Sequence, residues 1–197
     1  MKLVAFNGSR RKQGNTSALI ETALAPAQRA QATIETICLG DYQIDACTGC
    51  EGCSRSWECV IRDDYADLIG KIDAADGVIL ASPTYWYTVT SDMKRFVDRG
   101  YSLIQYPHSR QEWIAKYEGT GKPCLTISVC EQHEEAMMGN TSALLTDFAI
   151  DIGLEVTDSF KALGFFAAGS VRDDDAVLEE AEQAGEKLLA ALQQPHP

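Results

Sequence analysis

The chain has 197 residues, 45% hydrophobic and 23% charged, which fits one α/β domain with a core large enough to need no covalent staples. Its 17 basic against 29 acidic residues give a net charge of −12, which argues against nucleic acid and against anionic membrane surfaces as partners. The opening MKLVAFNGS runs straight into a short apolar strand with no signal-peptide layout, and no apolar run reaches the length of a membrane span, so the expected compartment is a reducing cytoplasm.

Strand-like apolar runs alternate with amphipathic stretches along the chain. Leu3 to Phe6 reads as a first strand and Asn7 to Asn15 as a loop. A helix then opens near Thr16 with Leu19, Ile20, Ala23 and Leu24 on one face, and Pro26 is expected to kink or end it. Thr33 to Leu39 forms a second strand, followed by a cysteine-rich segment. Asp64 is placed to cap a helix bearing Leu68, Ile69 and Ile72. Gly77 to Ala81 has the continuous apolar character of a central parallel strand. Ser91 starts a helix through Met93, Phe96 and Val97, and Tyr101 to Gly121 reads as a long surface excursion. Cys124 to Cys130 is a fourth strand, Thr141 to Ile152 a helix and Glu155 to Leu163 a fifth strand. Asp173 to Leu192 is a closing helix whose acidic start suits the positive end of its dipole. The implied fold is α/β: a doubly wound, flavodoxin-like five-stranded parallel sheet of order 2-1-3-4-5 in three αβα layers. It occupies a single domain, 1–197, with a cysteine-rich insertion at about 40–63.

Four of the seven cysteines, Cys47, Cys50, Cys53 and Cys59, fall in a C-x2-C-x2-C-x5-C run. Structural zinc is usually built from two separated C-x2-C knuckles. Three thiols at x2 spacing with a fourth just beyond fit a loop wound around one [4Fe–4S] cluster. Gly49 and Gly52 allow the sharp turns this needs. Zinc, a redox disulfide and a metal-free loop remain the alternatives. Cys38, Cys124 and Cys130 lie in or beside strands, and Cys130, at a strand end, could line a cleft. His108, His133 and His196 are scattered without ligand spacing.

The segment from Gly8 to Ser17, GSRRKQGNTS, joins the first strand to the first helix. In a doubly wound sheet this turn holds a phosphate against helix N–H groups. Its spacing is neither Walker A nor the Rossmann G-x-G-x-x-G. Its hydroxyls, amide and basic residues suit a terminal phosphate monoester. Ala81-Ser82-Pro83-Thr84-Tyr85-Trp86-Tyr87-Thr88 leaves the C-terminal end of the third strand, where open α/β sheets bind their ligands, and its aromatics suit a flat heteroaromatic ring. An internal echo, GNTSALI at 14–20 against GNTSALL at 139–145, reads as shared helix-capping chemistry; a sharper reading places both helix starts on one cleft.

Together GSRRKQGNTSAL, the cysteine run ending CVIRDD and SPTYWYTVTSDMKRFVDR resemble the iron–sulfur flavoproteins, a branch of the flavodoxin-like NAD(P)H-dependent FMN reductases. The likeness is specific over roughly the first hundred residues. It implies that Ser9, Arg11, Asn15, Thr16 and Ser17 hold the FMN phosphate, that Pro83, Thr84, Tyr85 and Trp86 contact the isoalloxazine, and that Cys47, Cys50, Cys53 and Cys59 ligate a [4Fe–4S] cluster. Arg55 and Arg62 could offset the cluster's negative charge. Trp86 and Tyr87 are bulkier than the family's usual residues, and Cys130 to Glu135 replaces a glycine-rich loop of many FMN reductases. The implied activity is electron transfer between FMN and the cluster, with no catalytic protein residue. Its redox partner is a ferredoxin-like protein or NAD(P)H, its acceptor a small molecule, and its assembly a homodimer or homotetramer. An FMN-only NAD(P)H-dependent reductase of quinones, azo compounds or flavin, with a cluster-free cysteine loop, is the alternative. A non-enzymatic flavodoxin-like electron carrier and a zinc-stabilised interaction module stand behind it.

Overall fold

A computed structural model describes residues 1–194, so His196 lies outside the described residues. In chain order the elements are β1 (Lys2–Asn7), α1 (Asn15–Arg29), β2 (Thr33–Cys38), α2 (Tyr65–Asp73), β3 (Gly77–Pro83) and α3 (Ser91–Arg99). There follow β4 (Ile104–Ser109), β5 (Glu112–Ala115), β6 (Pro123–Cys130), α4 (Thr141–Asp151), β7 (Glu155–Leu163) and α5 (Asp175–Leu192). The main sheet runs β2-β1-β3-β6-β7 with every pairing parallel, which is the expected 2-1-3-4-5 order once the β4–β5 pair is set aside.

Side-chain alternation along the buried strands builds two cores. Leu3, Ala5, Ile79 and Ile127 point to the face covered by α1 and α5, packing on Leu19, Ile20 and Leu188. Val4, Phe6, Val78 and Leu80 point to the other face, against Leu68 and Ile72 of α2, Phe96 of α3 and Phe148 of α4. Phe6 stacks on Phe96 at 4.9 Å between centroids, and each such fully buried side chain contributes about 1.5–3 kcal/mol.

Three expectations are corrected. Pro26 does not end α1, which continues to Arg29. The ring removes one helix hydrogen bond, but Pro26 and Ala27 are buried, and Ala30 N closes the final turn on Pro26 O at 3.1 Å. Asp64 does not cap α2 through its side chain, because its backbone is already helical and its carboxylate accepts from Gln43 N at 2.7 Å. Asp63 accepts from Tyr65 N instead, at 3.1 Å. The excursion from Tyr101 to Gly121 contains the antiparallel pair β4–β5, whose alternation is interrupted by a register shift between Gln105 and Ser109. Asp174 does cap α5, accepting from Val177 N at 3.1 Å.

The tightest helix contact lies between α1 and α5. A Cβ built at Gly185 would stand 1.9 Å from the carbonyl oxygen of Ala23, which is rigid helical backbone. Gly185→Ala is therefore expected to overpack this contact at a cost of about 3 kcal/mol. A thermal melt should show the midpoint fall by roughly 6–12 °C for a domain of this size.

Candidate functional site

At the C-terminal edge of the sheet, where β1 and β3 lead to helices on opposite faces, a crevice of about 440 Å³ opens. Ser9, Arg11, Asn15, Thr16, Pro83, Thr84, Tyr85 and Trp86 all line it, so two loops far apart in sequence converge as expected. Ser17 does not: its hydroxyl lies beneath the loop, accepting from Asn7 Nδ2 at 2.9 Å and donating to Arg11 O at 3.3 Å.

The 8–17 loop is held from below. Asn7 Oδ1 accepts from Ser9 N at 2.8 Å, and Ser9 Oγ accepts from Arg11 N at 3.2 Å. The first helical hydrogen bond of α1 is Ala18 N to Gly14 O, which leaves the N–H groups of the preceding turn without helical acceptors. Arg10 is committed to Asp92 (2.6 and 2.9 Å) and Lys12 to Asp41 (2.9 Å). The Arg10 guanidinium holds the buried Asp92 carboxyl below the usual carboxylate range. Arg11 remains at the crevice, stacked over Phe166 and donating to Phe166 O at 3.0 Å.

The Asn15 side chain at the crevice also braces a neighbouring loop. Its Nδ2 donates to Phe165 O (3.2 Å) and Ala167 O (2.9 Å), and its Oδ1 accepts from Val171 N (3.2 Å). The amide thereby fixes the loop after β7, which brings Phe165 and Phe166 to the crevice wall. Val129, Cys130, Glu131, Gln132 and Met137 complete that wall. Cys130 was foreseen from its strand-end position; the two phenylalanines were not, although the Gly164-Phe-Phe pair between strand and helix was a visible signal.

Opposite them, Tyr85 to Thr88 form a tight turn closed by Tyr85 N to Thr88 O at 2.8 Å. Its two central residues, Trp86 and Tyr87, have φ of +50° and +63°, the left-handed geometry of a type I′ turn. Bulky residues there carry strain of about 1–3 kcal/mol each. Asn140 N donates to Tyr87 O at 2.9 Å, and a Cβ on Gly139 would meet that same oxygen at 2.2 Å, so glycine is required beneath the turn. Trp86 is 92% exposed at the crevice rim. The second GNTSAL copy lines a separate groove with Gly139 and Ser142, so the two helix starts do not share a cleft.

The four loop cysteines line another, smaller hollow together with Arg99 and Tyr101. Gly49 has a φ of +66° and Glu51 of +57°, which reverses the chain between thiols. Burial and the thiols of Cys59, Cys47 and Cys50 push the Cys53 thiol up, while the N–H of Gly52 and the Thr48 side chain hold the Cys50 thiol down. Among the described residues no three Cys, His, Asp or Glu side chains gather into a ready metal-binding group. The donor chemistry suits a thiolate-bound metal centre, since all four cysteines line one hollow. The cation that reaches one of these cysteines is not Arg55 or Arg62 but Arg99, whose Nε lies 3.2 Å from Cys59 Sγ.

Residues 1–143 match the family described as NADPH-dependent FMN reductase. An iron–sulfur flavoprotein of Archaeoglobus fulgidus is 33% identical over 98% of this chain and 81% of its own length. Another, from Methanocaldococcus jannaschii, is 36% identical over 52% of this chain and 53% of its own. Among solved structures, an NAD(P)H:quinone oxidoreductase from Methanothermobacter marburgensis superposes with a TM-score of 0.74, covering 95% of this chain and 98% of that one. At 18% identity, that likeness speaks to the fold.

Removing the Asn15 side chain deletes three hydrogen bonds, two of them to carbonyls of the loop after β7. Asn15→Ala is expected to lower stability by about 1–3 kcal/mol. Hydrogen exchange should show the Val171 amide losing protection while β3 and β6 amides change only with global stability.

Proposed function

The chain belongs to the NADPH-dependent FMN reductase family, within its iron–sulfur flavoprotein branch, and from that premise we propose that it passes electrons between FMN in the crevice and a [4Fe–4S] cluster in the cysteine loop. It is an FMN-dependent oxidoreductase. The observation that supports the finer reading is that Cys47, Cys50, Cys53 and Cys59 all line one hollow, apart from the crevice. FMN supplies exchange of electrons in pairs or singly, and a thiolate-bound cluster supplies exchange one at a time.

The chain's own residues provide binding and orientation. Ser9, Thr16 and the free N–H groups opening α1 would receive the phosphate, with Arg11 adding the positive charge that Arg10 and Lys12 have committed elsewhere. Asn15 acts on this site by fixing the Phe165–Phe166 loop, and Ser17 by bracing Arg11 O. Pro83, Thr84, Tyr85 and Trp86 would flank the flat ring, and the strained Trp86–Tyr87 turn keeps their approach fixed. Thr84 N is held by Val129 O at 2.7 Å and its hydroxyl by Thr141 at 3.0 Å, so this wall is tied to β6 and α4. The four thiols would draw together around the metal core. NAD(P)H or a ferredoxin-like protein is the proposed redox partner, and a small molecule the acceptor. The exposure of Trp86 at the rim supports a contact there with another subunit of a dimer or tetramer.

A second reading, an FMN-only reductase with a cluster-free loop, is favoured by the absence of a ready metal-binding group among the described residues. Strictly anaerobic purification separates the two. The first predicts flavin bands over broad brown absorbance, with about four irons and about four sulfides per flavin. Cys50→Ser should then lose most of the iron and keep the flavin. A yellow, iron-free protein that oxidises NADPH would replace the cluster reading with the second.

A further inference from the structure

Among the described residues Arg99 is the largest fully buried side chain, and it sits at the cysteine loop rather than in the crevice. Each of its donors has an acceptor. Nη1 reaches Asp63 Oδ2 at 2.6 Å and Asp45 O at 3.0 Å; Nη2 reaches Asp63 Oδ1 at 3.1 Å and Ile61 O at 3.5 Å; Nε reaches Cys59 Sγ at 3.2 Å. The guanidinium also lies 4.7 Å over the ring of Tyr65. Asp63 is equally buried and accepts further bonds from Asp45 N (2.8 Å) and Tyr65 N (3.1 Å). One side chain therefore pins the chain before Cys47 and after Cys59 while aiming an N–H at a sulfur.

An ion pair so deeply buried is costly to build, and a pair of apolar residues would usually serve stability as well. The fork leaves no rotational freedom, so the Nε–H direction is set by Asp63 and by the two carbonyls. Among the described residues, Arg99 is the one charged side chain that donates to a cysteine of the loop. Hydrogen bonds to ligand sulfur draw off electron density and favour the reduced form of an iron–sulfur centre.

We propose that Arg99 is the positioning residue of the four-cysteine site: its Nε–H to Cys59 Sγ bond orients that ligand and raises the reduction potential of the centre the thiolates hold. This rests on the [4Fe–4S] reading above. Asp63 is the counterweight, compensating the guanidinium charge so that the potential reflects the pair rather than Arg99 alone. Removing either member should move the potential in opposite directions. A purely structural pair would move stability in the same direction for both.

The test uses anaerobically purified holoprotein, with the potentials of both centres titrated and the reduced cluster followed by EPR. In Arg99→Gln the cluster midpoint should fall, in Asp63→Asn it should rise, and the flavin midpoint should stay in place in both. Wild-type protein labelled with [15N]arginine should show a nitrogen coupling to the reduced cluster in pulsed EPR, lost in Arg99→Lys. Cluster midpoints that do not move, or move together, would overturn the assignment, as would a wild-type cluster without the nitrogen coupling. If the variants fail to retain iron, the coupling in the labelled wild type decides. A wild type that never holds iron removes the cluster reading itself and this assignment with it, an outcome distinct from an iron-loaded protein indifferent to Arg99.

Discussion

The close approach of β1 to β3 at Gly8 is the constraint on which both sites depend. Gly8 N donates to Ala81 O at 2.8 Å, extending the parallel pairing one residue past β1. A side chain at Gly8 would come within 2.9 Å of Thr90 Oγ1 and 3.0 Å of Met93 Cβ, so the 8–17 loop can leave the sheet at this height only from a glycine. Thr90 uses that closeness: its hydroxyl donates to Gly8 O at 2.8 Å while accepting from Met93 N as the cap of α3. The 8–17 loop, the aromatic turn and the start of α3 are thus fixed to one another at a single point.

From there α3 carries position across the molecule. Its first turn is bound to the 8–17 loop by the Arg10–Asp92 pair, and its last residue, Arg99, holds the cysteine loop. Nine residues of helix amount to about 13 Å of rise, with Phe96 packed midway against Phe6, Tyr65 and Phe148. A helix fixed at both ends and packed in its middle gives the crevice and the cysteine loop a constant spacing without a shared loop. Electron transfer gains from such rigidity, because the protein's contribution is position and electrostatics rather than acid–base chemistry.

Much of this was legible in the sequence because its signals were local. Short apolar runs, continuous in the buried central strands, alternate with amphipathic stretches and mark the five sheet strands, and the strand-to-helix loops at Gly8–Ser17 and Ser82–Thr88 could be assigned to the sheet edge from topology alone. The three cysteines at x2 spacing need no tertiary information. What escaped depends on partners far away in the chain. Asn15 lines the crevice, but the hydrogen bonds of its amide to residues 165–171 were not foreseen. Ser17 carried the right hydroxyl on the wrong side of the loop. Arg55 and Arg62 were the cations nearest the thiols in sequence, whereas Arg99 reaches Cys59 from forty positions away. The β4–β5 pair was obscured because its strands are short, half-exposed and out of register between Gln105 and Ser109.

Diffraction from anaerobically grown crystals would decide whether one chain holds two redox centres at opposite ends of α3. Anomalous scattering recorded at the iron edge should place one compact peak among Cys47, Cys50, Cys53 and Cys59, with flavin density in the crevice and its phosphate against the Ser9–Thr16 loop. Flavin density beside a cysteine loop without iron signal, or a peak that appears at the zinc edge instead, would contradict the proposal.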